Sequence, residues 1–197
     1  MARLSRFFIF TLTLCAVAIF TTTIVRAFFY NPDTEITVPP DEVVASNPQH
    51  HPVRLIVPSL GIDANVQDVG VNAAGNMGVP SNFTDVGWYK YGVVPGGAGS
   101  SVIAGHVDNG LGLSGVFKRL DELETGDEII VERRDGTRRT FVVTGKRSYP
   151  YDAVPTEIIF NPSGSARLNL ITCGGSWVKS AKTYDQRLVV FTKLSGT

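Results

Sequence analysis

A chain of 197 residues has room for one ordinary domain plus an appendage, and its 43% apolar content excludes a disordered polymer-like protein. Eighteen basic residues balance eighteen acidic ones, so no net field marks the chain as a binder of nucleic acid or of an acidic polymer.

Arg3 and Arg6 precede an uncharged apolar run from Phe7 to Val25. At about 1.5 Å per residue such a run covers about 28 Å, close to the hydrocarbon thickness of a bilayer. Phe28, Phe29 and Tyr30 follow, as an aromatic belt would, and the two leading arginines favour a cytoplasmic N-terminus. Arg26 on the far side can snorkel outward. Residues 1–30 are therefore expected to be a single-pass membrane anchor, with everything after them translocated to the extracellular side. A cleaved signal peptide is the rival, but the run is long and Val25-Arg26-Ala27-Phe28 offers no small-x-small cleavage site. Cys15 follows Leu14, where a lipid-attachment box needs a small residue, so it is read as apolar filler.

Residues 31–52 are rich in proline and polar side chains and predict an extended linker, reaching at most about 65 Å. His50 and His51 within it lack the ligand count of a metal site and are read as part of the spacer.

Residues 53–197 predict a mainly β domain with short helices. Apolar or β-branched runs recur at Arg54–Val57, Ser101–Ala104, Glu128–Val131, Thr140–Val143, Leu168–Thr172 and Leu188–Thr192. Asp135-Gly136 between two of them predicts a tight hairpin. Helical turns are expected only near Val116–Leu123 and Pro155–Phe160. So many short strands suggest a barrel or a sandwich. The glycine-rich stretch Pro95 to Ser100 lacks the Gly-Lys-Ser/Thr of a phosphate loop and is read as a turn. Arg133, Arg134, Arg138 and Arg139 are read as a solvated hairpin with charged edges, and Asp121, Glu122 and Glu124 as a solvated face.

Apart from Cys15 the chain has one cysteine, Cys173, ending the run Leu168 to Thr172 and followed by Gly174-Gly175. Outside the linker it has one histidine, His106, ending the run Ser101 to Gly105. A lone thiol at a strand end, beside residues without bulk, is open to a substrate backbone. A small buried hydrophobe is the alternative reading of that cysteine, and a satisfied polar residue that of the histidine. Together they supply the minimum for a thiolate with a proton donor.

Several ordered motifs then resemble the sortase family. Leu170-Ile171-Thr172-Cys173-Gly174-Gly175 is similar to the sortase Thr-Leu-x-Thr-Cys signature, in the Leu-Ile-Thr-Cys form of the class F branch. Asn169 occupies the signature's first threonine position, so the class stays open. Gly87-Trp88-Tyr89, Pro95-Gly96 and Ala104-Gly105-His106-Val107-Asp108 resemble the segment that carries the family's histidine. Arg187-Leu188-Val189-Val190 resembles its arginine-led closing strand, and Arg54 to Pro58 with Gly61 to Ala64 its opening strand.

The resemblance implies an eight-stranded sortase-type β-barrel, here behind the transmembrane anchor expected of residues 1–30; no calcium site carries over from it, and no cofactor or metal is expected. It implies a site of Cys173 as nucleophile, His106 as general acid/base and Arg187 as oxyanion or substrate stabiliser. The activity implied is cysteine transpeptidation. A surface protein with a C-terminal Leu-Pro-x-Thr-Gly-like sorting signal would be cleaved through a thioester and passed to an amine acceptor, a cell-wall precursor or a pilin lysine. With ordinary pKa values near 8.5 and 6.5, a thiolate–imidazolium pair would be populated below about 1% at pH 7. An L,D-transpeptidase would need a histidine close before the cysteine, and none is there. A catalytically inactive, membrane-tethered binding module on the same barrel is the remaining alternative.

Overall fold

The computed structural model describes residues 11–22, 46–72, 75–109 and 112–196. Its strands are β1 Pro52–Val57, β2 Ile62–Val69, β3 Val86–Tyr89, β4 Ser100–Ala104, β5 Glu128–Arg133, β6 Arg138–Pro150, β7 Arg167–Val178 and β8 Thr183–Leu194. They close into a barrel in the order β1-β2-β3-β4-β7-β8-β6-β5, with β5 returning to β1. The pairs β2–β3 and β4–β7 are parallel, and the other ladders are antiparallel. Closure leaves no sheet edge unpaired, which removes the main aggregation hazard of an all-β chain.

Alternation along the strands sorts the side chains into two apolar clusters. One contains Leu55, Trp88, Ile103, Phe117, Phe141, Leu168 and Leu170. The other contains Val102, Ala104, Ile171 and Val189 from the opposite faces of β4, β7 and β8, under Ile159 and Phe160 of the short helix Thr156–Ile159. Both faces of β4 are thus buried, which is why Ser101 to Ala104 is a continuous apolar run rather than an alternating one. Burying side chains of the size of Trp88 or Phe141 stabilises by about 1.5–3 kcal/mol each.

The Asp135-Gly136 hairpin joins β5 to β6, with Gly136 at φ 79°, a conformation glycine adopts without strain. Near Val116–Leu123 the helical turn is a 3-10 turn at Leu120–Glu122. Pro95 to Ser100 is a turn, closed by the Gly97 N–H on the Val94 carbonyl at 2.9 Å.

The arginine cluster differs from expectation. Arg133 is 5% exposed, and its guanidinium donates to the Pro95 carbonyl, pinning the glycine-rich turn to β5. Burial and the neighbouring charge of Arg139 hold its pKa below the usual arginine value. Arg138 pairs instead with Glu132.

Residues 46–51, taken into the linker by composition, pack on the barrel. A 3-10 turn at Pro48–His50 is capped by Asn47, and the His51 ring meets Trp88 edge-on at 4.7 Å. His51 Nε2 lies 3.0 Å from Ser46 Oγ, and the N–H groups of Arg134 and Asp135 donate to the carbonyls of His51 and Gln49.

Residues 11–22 are helical and expose Leu12, Leu14, Val17, Ile19 and Phe20. Among the described residues no helix is long and apolar enough to cross a membrane. The rest of the expected anchor, and the linker up to residue 45, lie outside the described residues.

Candidate active site

Parallel pairing sets Ala104, the last residue of β4, opposite Ile171, so the chain leaves β4 there while β7 runs on to Val178. The Gly105 N–H continues the ladder onto the Ile171 carbonyl at 3.1 Å, and Thr172 Oγ1 donates to the Gly105 carbonyl at 2.8 Å. The next residues are His106, just past the end of β4, and Cys173, which lies inside β7 rather than at the strand end expected, because the ladder to β8 continues to Val178. On the other flank of β7, Arg187 of β8 is the Cα partner of Cys173. The three residues singled out from sequence therefore stand on or just past neighbouring strands, with Cys173 in the middle.

Cys173 is 5% exposed and opens onto a cleft of about 360 Å³ whose walls include Val107, Phe117, Lys118, Tyr184 and Leu188. Gly174 and Gly175 also line it, so no side chain next in sequence obstructs the sulfur. Gly175 takes φ 76°, and a Cβ there would run into the carboxylate of Asp185, which accepts the Ser176 N–H at 2.7 Å.

His106 is 3% exposed, its ring 4.9 Å from that of Phe83. Nε2 lies 3.0 Å from the Pro80 carbonyl. A carbonyl only accepts, so Nε2 carries the proton.

Two glycines hold this residue in place. The segment returning after His106 runs beside it, with Gly115 N–H on the Val107 carbonyl and Phe117 N–H on the His106 carbonyl, both at 2.9 Å. A Cβ on Gly115 would collide with the His106 carbonyl and sit 3.0 Å from the His106 Cβ; one on Gly105 would sit 2.6 Å from the Phe117 ring. Gly115→Ala is expected to cost about 1–3 kcal/mol through this backbone clash and to slow thiol chemistry with it. Gly145→Ala meets no atom within 4 Å and serves as the control. Equal melting temperatures for the two variants would show that the close approach is unimportant.

Arg187 is fully buried. Its Nη1 donates to the carbonyls of Tyr184 and Gln186 at 2.9 Å each, and its Nη2 to Thr183 Oγ1 at 2.8 Å. The Tyr151 ring centre lies 5.9 Å from the guanidinium carbon.

Sequence patterns did not reveal the cross-cleft bond that Tyr184 makes. Its hydroxyl donates to Asp108 Oδ2 at 2.6 Å, and Lys118 Nζ stands 3.7 Å from the same oxygen. Burial, then the Asp108 carboxylate and to a lesser degree Cys173, pushes the phenol well above its ordinary pKa, so it remains a donor. The bond ties the segment after His106 to the start of β8. Only the position of Asp108, two residues beyond His106, hinted at it.

Asn169, the departure from the signature, reaches away from the sulfur: its Nδ2 donates to the Ile159 carbonyl at 2.7 Å and anchors the short helix. Of the acidic cluster, Glu122 pairs with Arg119 on the surface while Asp121 lines the cleft.

The family model of the sortase domain matches residues 55–195. The chain belongs to the sortase family. The fold is similar to that of sortase A from Corynebacterium diphtheriae, with TM-score 0.56 and 20% identity over 75% of this chain and 62% of that one. Sortase C-1 from Actinomyces oris gives TM-score 0.55 and 21% identity over 73% of each chain. Sortase C1 of GBS Pilus Island 1 gives TM-score 0.56 and 19% identity over 73% of this chain and 64% of that one. This sortase thus spans less than two thirds of the first and third of these. No curated protein matches it by sequence.

Proposed function

We propose that this sortase is a transpeptidase acting on a sorting-signal peptide, with Cys173, His106 and Arg187 as its working groups. The observation that carries the proposal is the register of β4, β7 and β8, which sets a near-buried thiol between the strand that leads into the histidine and a fully buried guanidinium. Cys173 Sγ, as thiolate, attacks a peptide carbonyl carbon, and the π pair moves to oxygen. The guanidinium of Arg187 donates to that oxyanion. Collapse expels the amine, which takes a proton from His106, and leaves a thioester. An incoming amine then attacks the thioester and releases the product, with His106 accepting the proton.

The substrate assigned is a surface protein with a Leu-Pro-x-Thr-Gly-like signal. The acceptor is a cell-wall amine or a pilin lysine. The exposed apolar side chains of residues 11–22 fit an anchor that holds the domain at the outer face of the cell membrane. The test is to incubate the full chain in detergent with a library of such peptides and read the mass of the Cys173 peptide. An acyl adduct that an added amine discharges is expected. Absence of any adduct across the library would sink the assignment.

A further inference from the structure

The guanidinium of Arg187 holds two N–H groups with no acceptor, one on Nη2 and the one on Nε, and only Nε is a nitrogen with no partner at all. Arg187 has no solvent exposure, and among the described residues no carboxylate pairs with it. Both Nη1 hydrogens are taken by carbonyls, and one Nη2 hydrogen by Thr183 Oγ1. Nε is buried and has no acceptor. A buried donor left unsatisfied is costly, more so on a charged group, and native structures hold few of them. All three acceptors come from β8 itself, at residues 183, 184 and 186, so they draw the outer nitrogens toward the start of the strand. Nε sits closer to the backbone, on the residue paired with Cys173 across the ladder.

We propose that Thr183 is a positioning residue. With the two β8 carbonyls it turns the outer nitrogens of Arg187 toward the start of β8 and so leaves the Nε–H, on the side of the residue paired with Cys173, for the oxyanion formed when Cys173 attacks a carbonyl. This rests on the reading given under Proposed function and names the atom that serves it. Thr183 is 2% exposed, so its hydroxyl is held for an internal task. In the step itself the S–C bond forms, the carbonyl π pair passes to oxygen, and Nε–H donates to that oxygen. When the pair returns, the leaving group departs and the donor is vacant again.

Lysine separates the atoms. Lysine Cε occupies the place of arginine Nε, and lysine Nζ that of Cζ, so Arg187→Lys keeps the charge near Thr183, Tyr184 and Gln186 while putting a methylene where the Nε donor stood. The probe is p-nitrophenyl acetate, which acylates a thiolate through an oxyanion whatever the natural sorting signal is. Iodoacetamide is the comparison, because alkylation makes no oxyanion. Both are applied to the full chain in detergent, and the adduct is read on the Cys173 peptide.

Thr183→Val is expected to slow acetylation at least tenfold with alkylation unchanged, and Thr183→Ser to restore acetylation to within about threefold of the unaltered protein. Arg187→Lys is expected to fall about 10²–10³-fold, as far as Arg187→Ala. Equal loss of both reactions in the Val variant, or no loss of either, overturns the proposal. So does near-normal acetylation in Arg187→Lys, which also covers the case where Thr183→Val does not fold. If Arg187→Ala slows acetylation and Thr183→Val does not, Thr183 is excluded while the oxyanion role of Arg187 stands. If Arg187→Ala acetylates normally, that role fails too. A peptide library that gives no adduct while acetylation follows this pattern rejects the sorting-signal substrate alone.

Discussion

Cys173→Ala is expected to abolish acyl-adduct formation completely and to leave the melting temperature nearly unchanged. Only one heavy atom is removed, from a side chain that lines an open cleft and whose neighbours Gly174 and Gly175 demand no repacking. No other group on the cleft wall is a thiol, and the remaining cysteine, Cys15, lies exposed on the helix of residues 11–22. Cys15→Ser is therefore expected to acylate like the unaltered protein. Intact-mass measurement after peptide incubation checks both. A persistent adduct in the Cys173 variant would move the nucleophile elsewhere.

The second large effect concerns His106, where structural and chemical duties can be separated. Its Nε2 donates to the Pro80 carbonyl and its ring packs on Phe83. A glutamine at this position can keep the donor to Pro80, but it cannot exchange a proton near neutral pH. His106→Gln is thus expected to fold and to lose about 10²–10⁴ in acylation rate, roughly 3–5 kcal/mol of barrier. Single-turnover kinetics over a pH series, alongside a thermal melt, decide it. A folded Gln variant that acylates within threefold of the original would reduce His106 to a packing residue.

Much of this domain could be read from local patterns. β4 and β7 announce themselves because strands buried on both faces read as continuous apolar runs, and each run ends at the residue that faces the cleft or flanks it. The β5–β6 hairpin follows from Asp135-Gly136. β2 is not legible as a strand of its own: Gly61 to Ala64 resembles part of the opening strand, and nothing local marks the span to Val69. Asp63, Asn65, Gln67 and Asp68 interrupt any apolar pattern, and the strand is held by ladders to β1 and β3 and by the Arg54–Asp63 pair at 2.5 Å. The first part of β8, Thr183 to Arg187, is polar for a different reason: it supplies the acceptors around the guanidinium. That the segments of His106 and Cys173 lie side by side could not come from either alone, since it depends on parallel pairing across a long crossover. The docking of His51 on Trp88 was hidden for the same reason, because its partner is remote in sequence.

The ring order of the barrel also has a mechanical side. β1 is first and β7 fifth in a closed circuit of eight, so they stand on opposite walls. A pull on the N-terminal segment meets His51 and its contact with Trp88 first, and then β1, clamped between β2 and β5. The load is spread through ladders on either side before it arrives at β7 and β8. The wall that bears the thiol is therefore the one farthest round the ring from the strand by which the N-terminal segment enters the barrel.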